Sequence, residues 1–217
     1  MKIMRCTLIL AACVLGSVLL TASMASAERT IIDDWATVKT PPPPALASVV
    51  VVEPAKTALL MLDFNKQTCN QERRPRCIAT LPAVRNLLDA ARSSKTSVVY
   101  SLSPGAVAAD ILPQVAPQPG EPVVTSGPDK FIGTDLEKIL KEKAVTTVIV
   151  VGTAAHGAVL YTASGSALRG IDTIVPVDGM SAEDLFAELY VAWHLKNAPR
   201  VGSKTVLTRI GTITFGK

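Results

Sequence analysis

Apolar positions along this chain alternate between two rhythms. Residues 146–151 (TTVIVV) are a near-continuous β-branched run, the pattern of a strand buried on both faces of a parallel sheet. Gly152 ends the run, and small residues lead into a helical pattern that closes at Gly170. Residues 57–63 (TALLMLD) form a second buried strand, which ends in an acid. A helix capped by Thr80 is predicted next, with Leu81, Val84, Leu87, Leu88 and Ala91 on its apolar face, and then a strand over 97–102. Thr134 and Glu137 have capping-box spacing for a helix to about residue 143. A strand at 173–177, a helix running from a Ser181 cap to about 197, and a strand at 204–210 complete the series. Such alternation predicts an α/β fold in three α/β/α layers, with a mainly parallel sheet.

Two stretches fall outside that rhythm. Residues 28–54 carry four consecutive prolines at 41–44, which can join neither a helix nor a strand ladder and take polyproline II. This segment is expected to be an arm rather than a core element, wrapping the surface or a neighbouring subunit; the second arrangement would make the protein a homo-oligomer. The globular domain is expected over 55–217. Within it, residues 103–128 are rich in Pro and Gly, and a loop of that length is often functional. A short helix and an edge strand at 122–125 are predicted inside it.

The first 27 residues stand apart from the fold. Lys2 and Arg5 precede an apolar run over 8–20, and Ala25-Ser26-Ala27 gives an A-x-A cleavage site, which together read as a secretory signal. Leu10-Ala11-Ala12-Cys13 resembles a lipoprotein box, but the apolar run continues past it, which favours cleavage after Ala27. A soluble periplasmic or secreted protein, free of the membrane once the signal is removed, is expected. Loss of Lys2 and Arg5 lowers the formal charge from +4 to +2. That is too little basicity for nucleic acid, and no aromatic–basic cluster supports such a partner.

The leader also takes Cys6 and Cys13 with it, leaving Cys69 and Cys77. In an oxidising compartment, two cysteines so spaced in a polar loop (QTCNQERRPRC) are expected to form a disulfide. A sharper alternative makes Cys69 a reactive nucleophile near Asp63. No P-loop and no G-x-G-x-x-G motif is present, so no cofactor is expected. Two histidines far apart in sequence give no metal cluster.

The segment VIVVGTAAHGAVLYTA resembles the signature of the isochorismatase-like hydrolases, a strand and a turn that opens a helix. Most members carry a nucleophilic Cys there, in a pattern like G-v-x-T-x-x-C-V-x-x-T-A. Gly152 matches the glycine and Thr162-Ala163 the closing pair, so the nucleophile position falls on Ala158. True isochorismatases have glycine there, preceded by Tyr-Ala-His, which resembles Ala154-Ala155-His156. The resemblance covers about residues 57–177 and implies a Rossmann-like sheet, with a small-molecule pocket at the carboxyl ends of the strands before Asp63 and Gly152. It also implies a non-proline cis peptide near Thr153-Ala154.

The same resemblance assigns roles. Asp63 matches the catalytic Asp of a D-x-Q pattern, here Asp63-Phe64-Asn65. The family's lysine lies upstream of a segment matched by Phe131-Ile132-Gly133-Thr134-Asp135-Leu136. A gapless reading puts Thr125 at that position; a shortened loop would put Lys130 there. Phe64, Asn65, Thr153, His156 and Ala158 are the substrate-binding candidates. His156 either orients a substrate group or bonds neighbouring backbone. Alanine cannot attack a carbonyl, which removes covalent amide hydrolysis. Vinyl-ether hydrolysis needs only a proton donor and water, and Asp63 would suffice. The functional expectations are therefore an exported hydrolase using Asp63 for acid–base chemistry, or an inactive relative that binds a small molecule or a protein.

Overall fold

The computed structural model describes residues 29–216, and the predicted secretory signal lies outside them. The chain divides after Thr40. The described residues up to that point form a short helix, α1 (Ile31–Asp34), and a tight turn, neither with a buried residue.

From Pro41 onward an α/β architecture is built on a parallel sheet. Its strands are β2 (Thr57–Leu62), β3 (Ser97–Leu102), β4 (Val123–Thr125), β5 (Thr147–Thr153), β6 (Asp172–Pro176), β7 (Met180–Ser181) and β8 (Thr205–Thr208). Their order is β4-β3-β2-β5-β6-β8, and every pairing is parallel. β6 accompanies β5 only as far as Ile149, and β7 pairs with its carboxyl end at Gly152 and Thr153.

The period of two along β2 sorts side chains between two cores. Ala58, Leu60 and Leu62 pack with α3 (Leu136–Glu142), α4 (Leu160–Leu168) and α5 (Leu185–Asn197). Leu59 and Met61 pack on the opposite face with α2 (Pro75–Ser93). Both faces are covered, which is why the strand sequences carry almost no polar residue. Among the described residues, no helix is long and apolar enough to cross a membrane.

Helix starts differ from those expected. α2 begins at Pro75, whose fixed φ suits a first helical residue, so Thr80 lies inside the helix and its hydroxyl bonds back to Cys77 O. α3 begins at Leu136; Thr134 does accept from its N–H, but Glu137 points outward to Lys141 and Arg169. α5 is capped by Asp184, which accepts from Phe186 N at 2.7 Å, because Ser181 is taken by β7. The end of the expected arm also belongs to the core. β1 (Val50–Val52) pairs with β9 (Ile213–Phe215) in a second, two-stranded sheet, and Val52 is buried. β1 is too short to show a periodicity, and β9 lies beyond the last strand the pattern marked.

Candidate active site

The carboxyl ends of β2 and β5 approach closely because residue 152 has no side chain. Leu62 is paired with Gly152, where a Cβ would lie 2.3 Å from the Leu62 carbonyl oxygen. Asp63 follows directly in the left-handed region, with φ 54°, a conformation Asp tolerates better than most residues. Its N–H donates to Ser101 O of β3, and Ser101 Oγ donates to its Oδ1 at 2.8 Å. The carboxylate is thereby turned inward at the mouth of the sheet, 5 % exposed.

Lys130 meets it there. The chain leaving β4 is fastened to α4, where Lys130 N donates to Thr162 Oγ1 and that hydroxyl donates to Pro128 O. The amine lies 2.9 Å from Asp63 Oδ2, 3.1 Å from Ser126 O and 3.4 Å from Leu102 O, one acceptor for each ammonium proton. Lys130 is fully buried, whereas Thr125 stands exposed at the sheet edge. Burial pushes the Asp63 carboxyl above its ordinary value; Lys130, the Ser101 hydroxyl and the positive charge of Arg74 oppose that rise.

The remaining sequence candidates surround this pair unevenly. The peptide between Thr153 and Ala154 is cis. Thr153 is buried and its hydroxyl donates to Ser181 O. A wide helical turn over Ala155–Val159 carries Ala158 into the core that contains Leu62 and Phe131, while His156 stays exposed. Phe64 packs in the α2-side core. Asn65 is buried and braces its own loop, accepting from Gln67 N and Thr68 Oγ1 and donating to Ser103 Oγ. Cys69 and Cys77 are joined by a disulfide, with Cα atoms 5.4 Å apart.

Two groups in this neighbourhood went unmarked in the sequence. Ser101 carried a faint signal, as a hydroxyl in the otherwise apolar SVVYSL strand. Arg74, only 6 % exposed at the start of α2, looked like one of several charges in a polar loop. Among the described residues, no three His, Cys, Asp or Glu side chains gather to hold a metal ion.

The Isochorismatase domain family matches residues 57–202. The chain belongs to the isochorismatase family of hydrolases. A nicotinamidase from Acinetobacter baylyi is 30 % identical over 82 residues, covering 36 % of this chain and 38 % of that enzyme. This chain therefore matches well under half the length of that curated relative. Solved family members share the fold at low identity. An isochorismatase family protein from Desulfovibrio vulgaris superposes with a TM-score of 0.66 at 18 % identity, covering 72 % of this chain and 95 % of that one. N-carbamoylsarcosine amidase from Thermoplasma acidophilum gives 0.61 at 22 %, covering 71 % and 96 %.

Proposed function

We propose that this family member is an exported hydrolase acting on a small molecule by proton transfer at Asp63, without a cysteine nucleophile. The observation that carries the reading is the buried contact between Lys130 Nζ and Asp63 Oδ2 at the carboxyl ends of β2 and β3. Ligands in open parallel sheets bind at that end. Burial favours a protonated Asp63, and Lys130 with Ser101 stabilises the carboxylate left once the proton is given up. For a vinyl ether, Asp63 would protonate the enol carbon and water would add to the resulting oxocarbenium carbon. Collapse of the hemiketal releases an alcohol and a carbonyl compound, and the proton lost by the water returns to Asp63. Export is supported by the leader-like residues 1–27 and by the Cys69–Cys77 bridge, since disulfides persist in oxidising compartments.

A second reading, a binding protein that has lost catalysis, draws on Ala158 at the position where most relatives resembling this chain have a nucleophile. The test starts with a thermal-shift screen of the chain from residue 28 against small carboxylates and amides. Any molecule that binds is then offered to the wild type and to Asp63→Asn. The variant keeps the shape of the side chain and is expected to lose about 10²–10⁴ in rate. Equal turnover in both would end the role of Asp63, and binding without turnover in either favours the second reading.

A further inference from the structure

Arg74 is a buried cation that the Asp63–Lys130 chemistry does not use. Its side chain is 7 % exposed, yet its five donors are poorly satisfied. Nη1 donates to Thr68 O at 3.0 Å, and Nη2 stands 3.4 Å from Glu183 Oε1. Nε has no hydrogen-bond partner among the described residues. Glu183 is not committed to Arg74 either. Its short contact, 2.8 Å from the same Oε1, goes to Nε of the exposed Arg73, and Glu183 itself is half exposed. Arg74 also adjoins the catalytic pair: Thr68 accepts from Arg74 through its carbonyl and donates to Asp63 O through its hydroxyl. A guanidinium is a planar fork matched to a carboxylate, and a buried one left with an open N–H edge is costly until a water or a ligand completes it.

We propose that Arg74 anchors the carboxylate group of the molecule bound beside Asp63 and Lys130, and that Glu183 is the internal carboxylate this group displaces. The proposal rests on reading Asp63 and Lys130 as the site, and it selects small carboxylic acids as the ligand class. Arg74 is a specificity determinant in this account. Asp63 keeps the proton chemistry.

The test uses sodium acetate as probe against sodium chloride at equal ionic strength, with the mature chain and heteronuclear NMR titration. Acetate-specific shifts are expected in the 66–74 and 181–184 segments. Glu183→Gln removes the internal competitor, and acetate should bind more tightly, by about two- to threefold, because Glu183 holds Arg74 only part of the time. Arg74→Gln should weaken acetate by about tenfold or more. Should that variant fail to fold, Arg74→Lys keeps the charge without the fork and should still bind more weakly than wild type. Equal acetate affinity in wild type, Glu183→Gln and Arg74→Lys overturns the anchor. Asp63→Asn separates the two claims, since it should retain acetate binding while losing turnover. Turnover that survives Asp63→Asn alongside Arg74-dependent acetate binding would sink the catalytic reading and leave the anchor standing.

Discussion

Lys130 and Asp63 are 67 residues apart in sequence, and the lysine's three hydrogen bonds all end on groups at the carboxyl edge of the sheet. Both side chains are almost wholly buried. Removing one partner of such a pair strands the other, at a cost of about 3–5 kcal/mol. Lys130→Met should lose roughly that much stability at alkaline pH, where the Asp63 carboxylate is charged. Urea denaturation will read it, and a loss below about 1 kcal/mol would mean that the pair is solvated in solution.

The Lys130→Met penalty should depend on pH with a definite sign. A carboxyl whose folded-state pKa lies above its unfolded value favours the fold at low pH, and that contribution fades as pH rises through the folded value. Burial already moves Asp63 in this direction, and losing Lys130 removes the largest opposing influence. The destabilisation of Lys130→Met, measured against wild type, should therefore shrink from pH 8 to pH 5. A penalty constant over that range would contradict the account.

Asp110 behaves in the opposite sense. Lys66, the Val107 N–H and Gln67 hold its carboxyl down to about 2. Its contribution is present above the ordinary value of 3.8 and disappears as pH falls toward about 2. Wild type should lose its advantage over Asp110→Asn on acid titration through that window, followed by circular dichroism. A stability difference unchanged from pH 5 to pH 2 would refute it.

Gly152→Ala should not be tolerated. Its Cβ would sit 2.3 Å from Leu62 O and 2.6 Å from Leu62 Cβ, and φ is +153°. Relief requires parting β2 from β5 at the site itself. The variant should be insoluble or destabilised by more than about 3 kcal/mol, well beyond an ordinary substitution. A Tm within about 2 °C of wild type would show that the two strand ends lie farther apart.

The bridge between Cys69 and Cys77 closes a short loop, and the chain-entropy estimate for such a loop is about 2–3 kcal/mol. For a domain of this size, reduction should lower Tm by roughly 4–12 °C. Non-reducing mass spectrometry of exported material should find the chain two hydrogens light. Two alkylatable thiols in such material would restore Cys69 as a reactive group.

The sheet was legible in the sequence because burial on both faces leaves only apolar residues in β2 and β5 apart from their terminal threonines, a signal that survives without context. The end of the Asp63 strand was legible for the same reason. Lys130 was ambiguous, because its position depends on how the long segment before it folds, and no local pattern records the bond from Lys130 N to Thr162 on a distant helix. Helix starts were misplaced where a tertiary partner took the expected cap. Ser181 joins β5 instead of opening α5, and local capping rules do not see that competition. Arg74 was invisible in kind, since a buried arginine and a solvated one are the same letter.

The hand-over on β5, from β6 at its amino half to a β7 only two residues long, has a consequence for motion. A two-residue strand contributes few ladder hydrogen bonds to its own retention, and short pairings of that sort open more readily than long ones. In hydrogen exchange, the amides of Met180 and Ser181 should therefore trade deuterium long before those of Val148 and Ile149. The segment leading to Glu183 is then held by the burial of Met180, Ser181 and Ala182 more than by its share of the ladder.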